Sequence, residues 1–159
     1  MSSPSTLWTR ASLLLGAALT ASLLAGCARE PAPGVVGERL EYRGYAMTVT
    51  KVEKAPDFPG ARQARQGDTL LAVEIVIESD ADGVVVSPAH MWVAEPGGKV
   101  FKPHKTGLAP ILQESKGVGK GQQVRGWLTF EVPENARDLR FVNELPQDFS
   151  HAMLKVNLK

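Results

Sequence analysis

A period of two in the apolar side chains, over several segments, is the feature of this sequence that most limits its fold. In residues 69–79 the odd positions from 71 to 77 are apolar, namely Leu71, Val73, Ile75 and Ile77. Successive side chains of a β-strand point to opposite faces, so this segment is predicted to be a strand with one buried face. Residues 45–54 and 124–132 alternate in the same way. Gly126 falls on the inward face of the last segment, where the missing side chain lets a neighbouring group come close.

Shorter strands are predicted between clusters of turn-forming residues. Their ranges are 39–42, 84–86, 91–94, 100–102, 139–142 and 153–158. Only residues 106–114 have a pattern that favours a short turn of helix. Seven to nine short strands in a chain of this length predict an all-β domain, an antiparallel β-sandwich.

The N-terminal segment has the pattern of a secretory signal peptide. Residues 1–26 contain no Asp or Glu, and their one basic residue, Arg10, precedes an apolar run at 11–24. That run is too short for a comfortable membrane span, which needs roughly 20 apolar residues. The residues that follow the run, Ala25-Gly26-Cys27, complete a motif that resembles the lipobox of bacterial lipoprotein precursors. The resemblance implies that Cys27 receives a diacylglyceryl group and that the chain is then cut just before it.

The alternatives are an ordinary signal peptide with a cysteine beside it by chance, or a membrane-spanning anchor. The preferred interpretation divides the chain into a signal peptide (1–26), a lipidated tether (27–37) and a β-sandwich domain (38–159). It places the domain on the extracytoplasmic face of the cell membrane or the outer membrane, with the membrane as partner through Cys27.

Cysteine content and charge exclude several classes of function. Cys27 is the one cysteine in the chain, so no intrachain disulfide and no multi-cysteine metal site can form. Removing residues 1–26 takes away one basic residue and leaves 17 basic (18 − 1) and 17 acidic side chains. This balance argues against a nucleic acid as partner and against general attraction to acidic lipids.

Several stretches of the chain resemble one family of bacterial lipoproteins. They are residues 45–52, 67–77, 92–94, 97–101 and 121–133, of which the last is the most specific. Members of that family carry a telokin-like, immunoglobulin-like β-sandwich behind a lipobox, and the domain has no assigned activity. The resemblance implies a fold and a location, and it implies no chemistry.

No catalytic motif is complete in the sequence. The three histidines do not form a His-Glu-x-x-His motif. Residues 117–121 lack the Ser or Thr that follows Lys in a phosphate-binding loop, and residues 80–83 lack the closing Glu of a calcium loop. We therefore predict that the protein is not an enzyme and needs no cofactor.

Two connections are longer than a β-sandwich needs and are rich in basic residues. One spans residues 55–68 and carries Arg62 and Arg65, and the other spans 103–121 and carries His104 and Lys105. Long loops on a rigid scaffold often hold binding residues. These four residues are predicted to contact an anionic ligand or partner. The alternative is that both loops are merely solvated.

Two pairs of imidazole and thioether side chains support a second hypothesis, a copper site. They are His90 with Met91, and His151 with Met153. Such soft ligands suit Cu(I). The pattern departs from that of periplasmic copper chaperones, because no Met lies between the pairs and the pairs are far apart in sequence. The alternative is that both methionines fill the core while the histidines lie in loops.

Trp127 falls on the polar face of its predicted strand, so it is either exposed as a docking aromatic or covered by a neighbouring loop, and the loop is favoured. Three functions remain open. The first is a non-enzymatic binding or protein-interaction module anchored at the membrane, the second a periplasmic copper chaperone, and the third a structural envelope lipoprotein.

Overall fold

Two five-stranded sheets pack face to face around an apolar core. The computed structural model describes residues 31–112, 114–145 and 151–159, so the predicted signal peptide and Cys27 lie outside the described residues. The strands are β1 (Gly34–Val35), β2 (Arg39–Tyr42), β3 (Tyr45–Ala55), β4 (Asp68–Ser79), β5 (Val84–Val86), β6 (Met91–Ala94), β7 (Val100–Phe101), β8 (Pro103–His104), β9 (Lys116–Val118), β10 (Gln122–Pro133), β11 (Arg140–Glu144) and β12 (Met153–Asn157). In the described part of the chain, the one helical element is a 3₁₀ turn at Pro88–His90, and no helix is long and apolar enough to cross a membrane.

The sheet order is that of an immunoglobulin-like sandwich. One sheet has the order β2-β3-β4-β10-β8, and the other has the order β1-β12-β11-β6-β7. Strands β3-β4-β10-β8 therefore correspond to A-B-E-D, and β12-β11-β6 correspond to G-F-C. The pairing is antiparallel except at β1, which runs parallel to β12. A separate two-stranded ribbon joins β5 to β9. The predicted all-β sandwich is confirmed.

Alternating residues of the long strands build the core, as the sequence predicts. Leu71, Val73, Ile75 and Ile77 of β4 are all buried. In β3 the alternation changes phase at a β-bulge between Val49 and Lys51. The bulge brings Val52 opposite Val73, so an even-numbered residue continues the inward row that the odd-numbered residues begin.

The structure differs from the predicted elements in three places. The sandwich begins at Gly34, because β1 falls within the range predicted as tether. Strands β8 and β9 are additional, and each is too short to produce a visible alternation. The helical turn predicted at 106–114 is wrong for the residues described there. That segment is extended, since Trp127 donates a backbone hydrogen bond to Pro110 (2.9 Å) and accepts one from Leu112 (3.3 Å).

Candidate functional site

The two long basic connections cover the outward face of the sheet that contains β4 and β10. Their contact is direct, because the Gly107 amide donates a hydrogen bond to the Pro59 carbonyl oxygen at 2.7 Å. The outward-pointing residues beneath them, Leu70, Ala72 and Thr129, are as buried as the core. This face of the sheet is therefore an interior surface, and the predicted ligand residues lie around it.

Glu131 of β10 is the point at which the predicted residues meet. Its side chain is 2% exposed. Arg62 Nη2 donates to one carboxylate oxygen at 2.7 Å, and Arg65 donates to the other through Nε at 2.8 Å and through its backbone amide at 2.9 Å. The hydrogen bonds from Arg65, aided by Arg62, outweigh the effect of burial and lower the pKa of Glu131 to about 2. Glu131 is therefore charged at neutral pH.

His104 joins this group at a longer distance, with Nε2 lying 3.8 Å from Glu131 Oε2. Arg65 also lies 3.8 Å from Asp68. Two arginines thus face two carboxylates, and the positive charge that suggested an anionic ligand is largely balanced within the protein. The arginines attach the 56–67 connection to the sheet.

The importance of Glu131 was missed from the sequence. The alternation along β10 places Glu131 on the outward face of the sheet, where a glutamate is usually solvated. Its burial depends on the 56–67 connection, which contains no repeating pattern, so the sequence carried no local signal for it.

His104 and Lys105 also line a pocket of about 300 Å³. The walls are apolar and come from Pro88, Pro103, Leu112 and Leu128. Both leucines belong to the buried core cluster, so the pocket reaches from the sheet edge into the sandwich. An apolar pocket with a few polar groups at its mouth suits a small ligand that has an apolar part and an anionic group.

Trp127 is covered by a neighbouring loop, and this prediction is confirmed. Its side chain belongs to the buried set at 8% exposure. Ile111 forms a bridge with it, and Lys51 Nζ lies 5.8 Å from the ring centroid. Trp127 is therefore part of the packing between the sheet and the 105–112 segment.

In the copper hypothesis, Met91 and Met153 begin strands β6 and β12, which both pair with β11, and His90 and His151 lie just before these two strands. His90 and His151 approach the same residue, Glu144 of β11, with Nδ1 atoms 3.8 Å and 3.3 Å from its two carboxylate oxygens. Met91 is buried in the core. Met153 pairs with Glu144, whereas Met91 pairs with the preceding residue, so the two thioethers lie on opposite faces of the sheet.

The structure therefore brings His90 and His151 together, but it does not bring Met91 and Met153 to the same face of the sheet. No group of three or more His, Cys, Asp or Glu in the described ranges could hold a metal ion.

Solved structures of similar fold include those of three bacterial proteins. The yjhA protein of Bacillus subtilis is 13% identical, with 79% of this chain and 99% of that chain covered and a TM-score of 0.65. The ycdA protein of Bacillus subtilis, a candidate lipoprotein, is 12% identical over 76% of this chain and 38% of its own, with a TM-score of 0.61. MPT63, a secreted protein of Mycobacterium tuberculosis, is 14% identical over 80% of this chain and 98% of its own, with a TM-score of 0.51.

At these identities the similarity shows the β-sandwich fold alone. No protein-family model and no curated protein matches the sequence. Membership of the telokin-like lipoprotein family therefore stays a prediction.

Proposed function

We propose that this chain is a lipid-anchored binding module without catalytic activity, held on the extracytoplasmic side of a bacterial membrane through Cys27. The lipobox-like motif supports the anchor. The fold supports the location, because a candidate lipoprotein and a secreted protein share it. The absence of a complete catalytic motif from the sequence supports a binding role.

The tether in this proposal is short. Gly34 is the first strand residue, seven residues after Cys27 (34 − 27). Seven extended residues span at most about 25 Å, so the sandwich would sit close to the lipid headgroups. Gly34 pairs with Val156, so β1 lies beside the last residues of β12 and runs parallel to them.

The pocket beside His104 and Lys105 is the observation that carries the binding role. We assign to it a small ligand with an apolar part and an anionic group. Lys105 is exposed at the mouth and would attract the anion. Arg62 and Arg65 would act on this site indirectly, by holding Glu131 and the loops around it.

Metabolic labelling with an alkyne-bearing fatty acid tests the anchor. The full chain expressed in a bacterium should incorporate the label, and Cys27→Ser should not, because serine has no thiol to form the thioether. The domain contains no other cysteine that could take the label. Labelling of the Cys27→Ser chain at the level of the parent chain would refute the anchor.

Saturation-transfer NMR with phenyl phosphate as probe tests the pocket, using the lipidated chain in nanodiscs. We expect transfer to the ring protons and a loss of at least about tenfold in affinity in Lys105→Glu, since a favourable ion contact becomes repulsive. Lys120→Glu is the matched control, because Lys120 is exposed and lies outside the pocket lining. Equal binding by both variants would refute the site, and no transfer in the parent chain would favour the structural envelope function.

A further inference from the structure

A larger pocket, of about 550 Å³, opens at the end of the sandwich where β12 ends and β11 begins. Its apolar walls come from both sheets: Val52 and Leu71 from the end of β3 and the start of β4, and Leu139 and Leu158 from beside β11 and β12. The Leu158 amide donates a hydrogen bond to the Leu139 carbonyl oxygen at 2.8 Å, which fixes one wall. The pocket is therefore the open end of the core, and its volume lies in the range of about 300–1,000 Å³ usual for ligand sites.

Basic side chains dominate the mouth of this pocket. Lys54, Arg137 and Lys159 line it, against one acidic side chain, Asp138. All four are exposed. An apolar cavity with a mainly cationic mouth is complementary to a molecule that has an apolar tail and an anionic head.

Arg137 is unusual among the described arginines. Each of the others has a side-chain partner: Arg39, Arg62, Arg65 and Arg125 pair with glutamates, Arg43 lies over the Tyr42 ring, and Arg140 donates to Asn157. Arg137 pairs with no residue in the described part of the chain. Its guanidinium can therefore donate in the bidentate geometry that carboxylate and phosphate groups accept.

We propose that this pocket binds an unbranched amphiphile with one anionic head group, its chain between Val52, Leu71, Leu139 and Leu158 and its head on Arg137 and Lys54. A carboxylate and a phosphate monoester share the required chemistry. The site does not rest on the proposed function, because its walls and charges belong to the sandwich itself. It is distinct from the pocket beside His104.

Photocrosslinking of the full chain in membranes tests the proposal with decanoic acid that carries a terminal diazirine. Crosslinks are expected on peptides that contain Val52, Leu139 or Leu158. Excess decanoate or decyl phosphate should compete, and the stronger competitor identifies the head group. Decyltrimethylammonium has the same chain with the opposite charge and should not compete.

Lys54→Glu combined with Arg137→Glu should lower the crosslink yield at least about tenfold, since two attractive contacts become repulsive. Lys99→Glu with Lys120→Glu makes the same charge change outside the pocket and should leave the yield unchanged. An unchanged thermal midpoint in the first double variant excludes unfolding as the cause. Crosslinks confined to other peptides, or equal yields in both double variants, would overturn the proposal. Loss of acylation at Cys27 alone would not overturn it, because metabolic labelling tests the anchor in a separate experiment.

Discussion

Asn143 of β11 donates a hydrogen bond through Nδ2 to the Tyr45 hydroxyl oxygen of β3 at 2.7 Å, which joins the two sheets inside the core. Both side chains are almost completely buried. Burial raises the pKa of Tyr45 well above its ordinary value, against a smaller lowering by Asn143, so the hydroxyl stays neutral. This polar contact fixes how the sheets are placed relative to each other, which an apolar contact would do less specifically.

Tyr45→Phe should lower the free energy of unfolding by about 1–3 kcal/mol, because it leaves the buried Asn143 amide short of an acceptor. Urea unfolding followed by circular dichroism measures the loss. Tyr42→Phe is the matched control, since Tyr42 is half-buried and its ring contact with Arg43 survives the change. Equal losses in the two variants would mean that the hydrogen bond contributes nothing.

The contact between Leu112 and Gly126 gives a second prediction. A Cβ atom added at Gly126 would lie 2.6 Å from Leu112 Cβ and 3.1 Å from its backbone nitrogen. Leu112 cannot easily withdraw, because its amide donates to the Trp127 carbonyl oxygen. Gly126→Ala should therefore destabilise the domain by about 1–3 kcal/mol through overpacking, measured by the same unfolding experiment.

Gly97→Ala is the control for that substitution. A Cβ atom there meets nothing within 4 Å, and Gly97 is not among the glycines with positive φ. We expect a change close to zero. A comparable loss at Gly97 would show that the cost at Gly126 reflects glycine replacement in general.

Alternation was enough to predict the strands that build the core. Each predicted strand exists, with ends within two residues of those expected. The approach of a neighbour to Gly126 was also predicted correctly. What alternation could not reveal was the bulge after Val49, because a bulge changes which residues face inward without changing the composition of the strand.

The candidate site was less predictable than the fold. Basic composition singled out residues 62, 65 and 104 as contacts of a ligand, but it did not predict that the first two pair with a carboxylate on a distant strand. The pairing of Arg62 and Arg65 with Glu131 depends on how two irregular connections fold over the sheet. No local periodicity encodes that arrangement, and the same limit applies to the large pocket, whose walls come from four separate segments.

The outward pair of Glu74 and Arg125 gives a third prediction. Arg125 donates through Nε and Nη2 to the two oxygens of the Glu74 carboxylate, both at 2.9 Å. Thr50 donates to the same carboxylate at 2.6 Å. These hydrogen bonds lower the pKa of Glu74, and those from Arg125 have the largest effect. Arg125→Ala should lower the free energy of unfolding because a nearly buried carboxylate loses its main partner.

Arg125→Lys should recover only part of this loss, because an ammonium cannot form the bidentate contact. Arg39→Ala is the control: its partners Glu41 and Glu78 are exposed, so a much smaller loss of unfolding free energy is expected. If Arg39→Ala cost as much as Arg125→Ala, burial of Glu74 would not be the reason.

The last prediction concerns the pH dependence of stability. The pKa of Glu131 falls from its ordinary 4.5 to about 2 in the folded protein. A group whose pKa is lower in the folded state stabilises the fold above its unfolded pKa, and this stabilisation is lost as pH falls through the folded pKa. The contribution of Glu131 to the free energy of unfolding should therefore be complete above about pH 5 and should disappear progressively between about pH 5 and about pH 2.

Glu131→Gln removes this titration but keeps the shape of the side chain. The variant should be less stable than the parent at pH 7, and the difference between them should shrink as pH falls from 5 towards 2. Glu134→Gln removes a nearby exposed carboxylate and is the control for the loss of a charge. A constant difference between Glu131→Gln and the parent across this range would mean that Arg62 and Arg65 do not favour the charged carboxylate. The connections over the sheet would then be held by packing, and acid would not release them.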